Sequence, residues 1–307
     1  MQNPLIALSH ELAATTERAG RLVAAVHARP RFSSSGLIWQ KGVIVTADHT
    51  VRREDEIRVT LPDGNTVLAE LAGRDPGTDL AVLKAETPDV APLPLAAPGS
   101  IRTGNLLLAI GRSEETGVSA AMGVVSNSSG PRHTWRGGKL DQYLRLDVGL
   151  YPGASGGAVV DAEGAVIGIA TSALSRMSVL AIPAATIQRV ASQLLQKGHV
   201  ARGFLGVGLQ PIALPEHLQG KVKVGDGSSK GALIVLSVEL DGPAARGGMV
   251  IGDVLVALED TRVDSTDDIQ EFLGTESVGR TVHASVIRGG ELARLAITIG
   301  ERPRRRG

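Results

Sequence analysis

The sequence predicts a mainly β protein, in which a barrel or sandwich is followed by a smaller unit where helices and strands alternate. Three observations support this fold class. Short apolar runs such as "GVIVTA" and "VIGIA" recur up to residue 183, and turns such as "PDGN" (62–65) separate several of them. Helical spacing of apolar residues is confined to the two ends of the first 200 residues. Beyond residue 200, strand-like runs flank the helix-like segment "STDDIQEFLGT".

The elements can be assigned in order along the chain. Residues 4–20 carry apolar side chains at helical spacing (Leu5, Leu8 and Leu12), and "TIQRVASQLLQKG" (186–198) predicts a second helix that stops at Gly198. The loop 223–231 is rich in Gly and Ser. The predicted parts are an N-terminal helical segment (1–24), a β-rich domain (25–200), a smaller α+β domain (201–301) and a basic tail (302–307).

Composition excludes several function classes. Among 307 residues, 32 Lys and Arg balance 32 Asp and Glu, which argues against a nucleic-acid partner. Aromatic residues make up only 2%, so a surface that stacks bases is not expected either. The chain has no cysteine, and its His residues form no ligand-like spacing, so neither a metal nor a cofactor is expected.

The N-terminal residues also bear on location. Glu11 and Glu17 interrupt the apolar pattern, unlike a basic and then apolar signal peptide, and no apolar run approaches the ~20 residues of a membrane span. We therefore expect a cytoplasmic location without a membrane partner. A trimmed secreted form is the alternative.

The segment "YPGASGGAVVD" (151–161) surrounds Ser155 with glycines. Gly-x-Ser-x-Gly occurs in the nucleophile elbow of lipases and esterases, where a helix follows the serine and the histidine comes last. Here a strand hairpin that turns at 161–164 follows Ser155, which disfavours that fold. The alternative is a protease in which histidine comes first, the acid second and serine last.

The upstream sequence supplies both partners at the ends of predicted strands. His49 ends "GVIVTADHTV" and Asp79 opens the strand of "RDPGTDLAVLKA", with Asp75 as the rival acid. Histidine can accept the serine proton, and a buried carboxylate can hold the imidazole in the required tautomer. Backbone N–H groups of Gly153 and Ser155 are the expected oxyanion hole. Asp48 should face away from the neighbouring His49, because successive side chains of an extended chain alternate.

These motifs resemble the HtrA/DegP family of trypsin-like serine proteases. "VTADHTV", "TDLAVLK" and "PGASGGAVVD", with "AIP" at 181–183, occur in the family's order, and "RGFLGVGLQ" is similar to the start of its PDZ domain. The resemblance implies a chymotrypsin-like double β-barrel protease followed by a PDZ domain. It also implies an ATP-independent serine endopeptidase that acts on unfolded or damaged protein segments, and a homo-oligomer, often a trimer.

The resemblance implies further site residues. Leu150 and Ala170 would line the first specificity pocket, which predicts cleavage after small or medium aliphatic residues. In the PDZ domain, one loop would bind a peptide carboxylate beside an apolar groove. That loop is Phe204, Leu205, Gly206 and Val207, and the groove residues are Ile269, Phe272 and Leu273. The expected ligands are peptides with apolar C-termini.

The sequence departs from the family pattern next to the serine. The family usually has Asn-Pro-Gly-Asn-Ser, whereas this chain has Tyr151-Pro-Gly-Ala154-Ser155. The N-terminal segment also lacks the aromatic residues that often hold family trimers together. A catalytically silent peptide-binding scaffold or holdase chaperone is therefore the alternative function. The loop 128–139 is either a plain connection or a regulatory loop near the cleft.

Overall fold

The computed structural model describes residues 3–220, 222 and 230–302. Positions 223–229 of the predicted Gly/Ser-rich loop and 303–307 of the predicted basic tail lie outside the described residues. The chain divides into two compact units, Met1–Val200 and Ala201–Gly307. Within the described residues, no helix is both long enough and apolar enough to cross a membrane.

The first unit begins with helix α1 (Pro4–Gly20), as the apolar spacing predicts, and the Asn3 side chain accepts a hydrogen bond from the Leu5 N–H (3.0 Å). A closed six-stranded barrel follows, in the order β1-β2-β3-β6-β5-β4. Its strands are β1 (Val23–His27), β2 (Ser34–Gln40), β3 (Val43–Ala47), β4 (Ile57–Thr60), β5 (Thr66–Asp75) and β6 (Leu80–Ala85).

A second closed barrel completes the first unit, in the order β11-β14-β13-β12-β7-β8. The short hairpin β9–β10 lies outside this barrel. Helix α2 (Ala184–Lys197) follows and ends at Gly198, as predicted. The strands are β7 (Leu106–Ser113), β8 (Gly117–Ser129), β9 (Arg132–His133), β10 (Lys139–Leu140), β11 (Tyr143–Asp147), β12 (Ala158–Asp161), β13 (Val166–Thr171) and β14 (Val179–Pro183).

Aliphatic side chains build the core of this unit, as the scarcity of aromatic residues requires. Helix α2 contacts β5 and β6 of the first barrel and β13 and β14 of the second. Its buried face (Ile187, Val190 and Leu194) belongs to one apolar cluster with side chains of both barrels, including Ile44 and Ile169. The two closed barrels confirm the mainly β prediction and decide between a barrel and a sandwich.

The second unit combines a five-stranded path, β16-β17-β18-β20-β21, with short helices. The strand β19 pairs with β18, and β15 pairs with β22. The elements are β15 (Gly203–Phe204), β16 (Val207–Ala213), α3 (Glu216–Gln219), β17 (Gly231–Val238), α4 (Pro243–Arg246), β18 (Val254–Leu258), β19 (Thr261–Arg262), α5 (Thr266–Phe272), β20 (Thr281–Arg288), β21 (Glu291–Thr298) and β22 (Gly300–Glu301).

Candidate active site

His49 and Asp79 meet because the strands that carry them are neighbours. His49 lies in a short 3-10 turn (Asp48–Thr50) directly after β3, and Asp79 directly precedes β6. Strands β3 and β6 are antiparallel, with Ala47 opposite Leu80, so the end of one strand meets the start of the other. The Asp48 N–H also donates to the Asp79 carbonyl oxygen at 3.0 Å, which ties the two turns together.

The Asp79 carboxylate is fully buried and hydrogen-bonded from two sides. The His49 ring places Nδ1 at 2.9 Å from Oδ2, and the His49 backbone N–H donates to Oδ1 at 2.8 Å. The Thr171 hydroxyl, at the end of β13, donates a short hydrogen bond to Oδ2. A ring whose Nδ1 faces a carboxylate carries its proton there, which leaves Nε2 as the proton acceptor.

Asp79 adopts a strained backbone conformation. Its φ of +57° lies in the left-handed region, which non-glycine residues seldom occupy. The hydrogen bonds of its carboxylate and carbonyl group hold it there. The rival Asp75 is also buried, but its carboxylate accepts hydrogen bonds from the Thr78 hydroxyl (2.7 Å) and the Gly77 N–H (3.2 Å) of the same turn.

Ser155 comes from the second barrel, in the loop between β11 and β12. The loop closes through an Ala154 N–H to Tyr151 O bond of 3.0 Å, and Gly153 has a φ of +91°. Gly156 packs so closely against the end of β3 that an added Cβ would collide with the Ser35 carbonyl oxygen and lie 3.0 Å from the Ala47 nitrogen. This close approach brings the Ser155 loop beside the turn that carries His49.

The backbone around Ser155 presents two unused donors. Among the described residues, the N–H groups of Gly153 and Ser155 have no hydrogen-bond acceptor, whereas those of Ala154, Gly156 and Gly157 do. Two unpaired N–H groups flanking Ala154 are what an oxyanion hole requires. The Ser155 hydroxyl lies 3.4 Å from the Ser172 hydroxyl, and no hydrogen bond joins it to His49 in this structure.

Asp48 pairs with Arg74 and not with His49, although residues 48–50 form a 3-10 turn and not the extended backbone on which the expectation rested. Its carboxylate is buried and forms an ion pair with Arg74, with Nε 2.6 Å from Oδ1. The Arg74 guanidinium also donates to the Val51 carbonyl oxygen (3.1 Å), and so braces the turn that carries His49. Burial raises the pKa of Asp48 against the opposing effect of Arg74, and the nearby Asp79 and Asp75 carboxylates raise this pKa further.

The predicted loop 128–139 contains the hairpin β9–β10, and it touches the turn before Asp79. The Thr134 hydroxyl is buried and donates to the Gly77 carbonyl oxygen at 2.6 Å. The Trp135 side chain is exposed, and the guanidinium carbon of Arg136 lies over its ring, 4.6 Å from the ring centre. The loop is therefore anchored at the turn that positions Asp79, rather than being a plain connection.

The two residues predicted to line a specificity pocket lie in different surroundings. Leu150 is half-buried against an apolar cluster of the second barrel. Ala170 is 1% exposed and exchanges backbone hydrogen bonds with the Ser155 loop, since its carbonyl accepts from the Gly156 N–H (2.8 Å) and its N–H donates to Gly157 O (2.9 Å). Their role in specificity stays a prediction.

In the second unit, the predicted carboxylate loop precedes an edge strand. Among the described residues, the N–H groups of Leu205 and Gly206 donate to no acceptor, while the carbonyls of the same residues accept from the Ala244 and Glu239 N–H groups at 2.8 Å each. Strand β16 follows and pairs only with β17 along the sheet path. Among the described residues of this unit, no strand pairs with the other edge of β16.

The predicted groove residues lie on α5, which contacts β16, and at its end. Ile269 is buried in the apolar core of this unit, while Phe272 and Leu273 are half-buried and pack against the same core. The helix starts at a capping box in which Ser265 and Asp268 cap each other's backbone. Ile269 therefore serves the core, and only Phe272 and Leu273 retain exposed surface for a ligand.

Within the described part of the chain, no group of three or more His, Cys, Asp or Glu side chains could hold a metal ion. The family models match in the same two regions as the two sites. Residues 34–169 match the trypsin-like peptidase domain, and residues 203–299 match the PDZ domain.

Solved structures give the deciding comparison. The HtrA-type protease AlgW, solved with a decapeptide, is 30% identical, with a TM-score of 0.78 over 95% of this chain and 99% of that chain. The chain belongs to the HtrA/DegP family of serine proteases. A serine endoprotease from Yersinia pestis superposes on the HtrA chain with a TM-score of 0.76 at 28% identity, over 95% of this chain and 98% of the other. The predicted family and fold, including the PDZ domain, are confirmed, and the predicted enzyme class agrees with the protease names of these relatives.

Curated relatives add a location. A probable periplasmic serine endoprotease DegP-like from Halomonas elongata is 34% identical over 90% of this HtrA chain, and one from Brucella suis is 32% identical over 92%. The chain spans about half the length of these relatives, 57% and 55% respectively. Because they are named periplasmic, the predicted cytoplasmic location is wrong. Acidic residues near the N-terminus carried no information on the compartment.

Proposed function

We propose that this chain is an ATP-independent serine endopeptidase that cleaves exposed segments of unfolded or damaged proteins. The buried Asp79–His49 pair, with the Nδ1 to Oδ2 distance of 2.9 Å, carries the proposal, because it leaves Nε2 of His49 as a base at the end of the Ser155 loop. Amide hydrolysis through an acyl-enzyme requires no nucleotide.

In the proposed mechanism, the Ser155 hydroxyl attacks the peptide carbonyl while Nε2 of His49 takes its proton. The N–H groups of Gly153 and Ser155 stabilise the developing oxyanion. The imidazolium then protonates the leaving amine, and the acyl-enzyme forms. A water molecule gives its proton to His49, attacks the acyl group and regenerates Ser155. Asp79 keeps the imidazole oriented and stabilises its positive charge throughout.

One observation favours the alternative of a silent scaffold or holdase. The Ser155 hydroxyl is 3.4 Å from Ser172 and is not bonded to His49. In ligand-free active sites such hydrogen bonds are often absent and form only with substrate.

A fluorophosphonate probe followed by peptide mapping tests the proposal. The full chain should be labelled at Ser155 alone and should cleave casein, since only an activated hydroxyl attacks the phosphonate. Ser155→Ala should abolish both, and His49→Ala nearly so, because the members act as one unit. A folded wild-type chain that is neither labelled nor active would leave the scaffold as the function.

The casein products also test the specificity prediction. If Leu150 and its neighbours line the pocket, cuts should follow small or medium aliphatic residues. Dominant cuts after Lys or Arg would contradict the assignment, because a cationic side chain needs a carboxylate in its pocket.

We also propose that the PDZ domain binds peptides with free, apolar C-termini. The unused N–H groups of Leu205 and Gly206 support a carboxylate site, and the open edge of β16 supports addition of a peptide strand. Phe204 and Val207 complete the loop, and Phe272 and Leu273 would contact the last side chain.

A homo-oligomer, with a trimer expected from the family, remains part of this proposal. The first turns of α1 expose Leu5 (74%), Ile6 (52%) and Leu8 (42%). Such a run of exposed aliphatic side chains is a candidate subunit contact. Light scattering should give a lower mass for the double variant Leu5→Glu/Leu8→Glu than for wild type. A monomeric wild type would contradict the proposed assembly.

A further inference from the structure

The Ser155 loop contains little that could hold it in shape. Its two unused donors flank Ala154, whose methyl side chain offers no hydrogen bond, and Gly153 has no side chain and a φ of +91°. Preorganised donors stabilise an oxyanion only if they stay in place. Besides the Ala154 N–H to Tyr151 O bond (3.0 Å) within the loop, contacts from outside the loop hold it in place.

Ser35, in β2 of the first barrel, makes those contacts. Its hydroxyl donates to the Gly153 carbonyl oxygen at 2.8 Å, and its N–H donates to the Ser155 carbonyl oxygen at 3.1 Å. The residue is 0% exposed. Ser35 thus forms hydrogen bonds, through its hydroxyl and its backbone N–H, with both residues that are expected to form the oxyanion hole.

The second barrel orients the Ser35 hydroxyl. The N–H of Arg112, in β7, donates to Ser35 Oγ at 2.9 Å. The Arg112 carbonyl oxygen also lies 3.4 Å from this hydroxyl, so the Gly153 carbonyl oxygen at 2.8 Å is the nearer of its two acceptors. The Arg112 guanidinium is itself fixed by the carbonyls of Val23 (2.6 Å) and Gly20 (2.9 Å).

Because peptide units are planar, these contacts fix the two peptide planes that flank the plane carrying the Ser155 N–H. A bond to a carbonyl oxygen also fixes the N–H of the next residue. Ser35 therefore holds the plane that joins Gly153 to Ala154 and the plane that joins Ser155 to Gly156. The plane between them, which carries the Ser155 N–H, is held by the Gly157 N–H on Ala154 O (3.0 Å).

We propose that Ser35 is a positioning residue that holds the loop 151–155 in its oxyanion-binding shape, with Arg112 orienting its hydroxyl. The inference rests on the proposed function for its effect on catalysis. The hydrogen bonds from Ser35 to Gly153 and Ser155, called the clamp below, do not rest on the proposed function, since they exist with or without turnover.

The test compares Ser35→Ala with Ser34→Ala in the full chain. Ser34 is a matched control, because it is also 0% exposed and lies in the same strand, but its hydroxyl points to the Val26 carbonyl at 3.4 Å. Three quantities are measured: amide hydrogen exchange of the 150–157 segment, steady-state kcat and KM, and inhibition by a peptide aldehyde, whose hemiacetal oxygen would occupy the oxyanion hole.

Ser35→Ala should speed exchange in this segment and lower kcat on the order of 10-fold, because small misplacements of reacting groups cost up to about 100-fold. KM should stay within about 2-fold, and aldehyde affinity should fall with kcat/KM, since the donors act on the transition state. Ser34→Ala should change none of these. If Ser35→Ala does not fold, Ser35→Cys, with its weak S–H donor, should show the same pattern to a smaller degree.

Equal exchange in the two alanine variants, or an unchanged kcat in the Ser35 variant of an active enzyme, would overturn the clamp. A drop in kcat with a matching rise in KM and unchanged aldehyde affinity would also overturn it. A wild type without turnover contradicts the proposed function alone, because faster exchange in Ser35→Ala would still establish the clamp.

Discussion

The His49 ring Nδ1 lies 2.9 Å from Oδ2 and 3.1 Å from Oδ1 of Asp79, and the His49 backbone N–H donates to Oδ1 at 2.8 Å. The backbone bond holds the carboxylate in position independently of the ring. The ring bond also requires a charged acceptor oxygen on Asp79. Substitution can therefore separate the positioning of the side chain from its effect on the imidazole.

Asp79→Asn should preserve the shape of the site but favour the wrong imidazole tautomer. We expect kcat to fall by roughly 10⁴-fold, the loss found for such a change in serine proteases. Asp75→Asn is the control, because the Asp75 carboxylate accepts hydrogen bonds from Gly77 and Thr78 within its own turn. A nearly normal Asp79→Asn enzyme beside an inactive Asp75→Asn enzyme would show that the acid is assigned wrongly.

Thr171→Val should weaken catalysis without removing any member of the triad. The substitution deletes the hydroxyl that donates to Asp79 Oδ2 and leaves a buried lone pair unsatisfied, which predicts a loss of about 10-fold in kcat. Thr171→Ser keeps the donor and should restore most of the activity. The prediction fails if the valine and serine variants have equal kcat values.

Arg74→Met should destabilise the fold on the order of 3 kcal/mol, because it leaves the Asp48 carboxylate buried without its partner. Urea unfolding measures this loss. Asp48→Asn in the same chain should recover part of it. The control is Lys41→Met, which breaks the exposed Lys41–Asp89 pair and should cost less than about 1 kcal/mol.

The Arg74→Met variant should also become less stable as the pH rises. Burial raises the pKa of Asp48 above its unfolded value, so the folded state binds the proton more tightly. The free energy of unfolding therefore falls while the pH passes from the unfolded to the folded pKa. A variant whose loss relative to wild type is greater at low pH than at neutral pH would contradict this assignment.

His27 should make the chain less stable in mild acid. Burial lowers its pKa below the usual 6.5, while Glu114 opposes this effect and Arg58 and Arg53 support it. The unfolded state takes up the proton first, so stability is lost as the pH falls through the unfolded pKa toward the folded one. The free energy of unfolding of wild type and of His27→Gln is measured at about pH 7.5 and about pH 5.5. It should fall less between these two pH values in the variant than in wild type. Equal drops would contradict the prediction.

Peptides with an aliphatic C-terminus should bind the PDZ domain in the micromolar range or more weakly. Amidating the carboxylate removes a charge-assisted hydrogen bond to the loop and should weaken binding several-fold. Calorimetry with matched free-acid and amide peptides measures the difference. Equal affinities would mean that the N–H groups of Leu205 and Gly206 do not bind the carboxylate.

The sequence could predict features that are written locally along the chain. Strand-end positions and chain order singled out His49, Asp79 and Ser155, and Asp79 was preferred to Asp75 because it directly precedes the strand "LAVLK" in the family pattern. A hairpin rather than a helix after Ser155 separated a protease from an esterase fold. The family followed from these motifs, and the two-part architecture followed from the change of pattern after residue 200 and from "RGFLGVGLQ".

Other features depend on contacts between distant segments. Ser35 and Gly153 are 118 residues apart in the sequence, and Thr171 and Asp79 are 92 apart, so no local pattern links them. A polar residue closing the apolar run "VIGIAT" was the available signal for Thr171. The left-handed conformation of Asp79 also had no sequence signal, since it is stabilised by its partners.

The edge strand β16 also bears on how the chain behaves at high concentration. An open strand edge can pair with the same edge of another copy and so begin aggregation. Pro211 lies within β16, opposite Leu233, and has no N–H to offer a neighbouring strand. The row of donors is therefore interrupted, so the edge that would take a short peptide is poorly suited to the long ladders of a fibril.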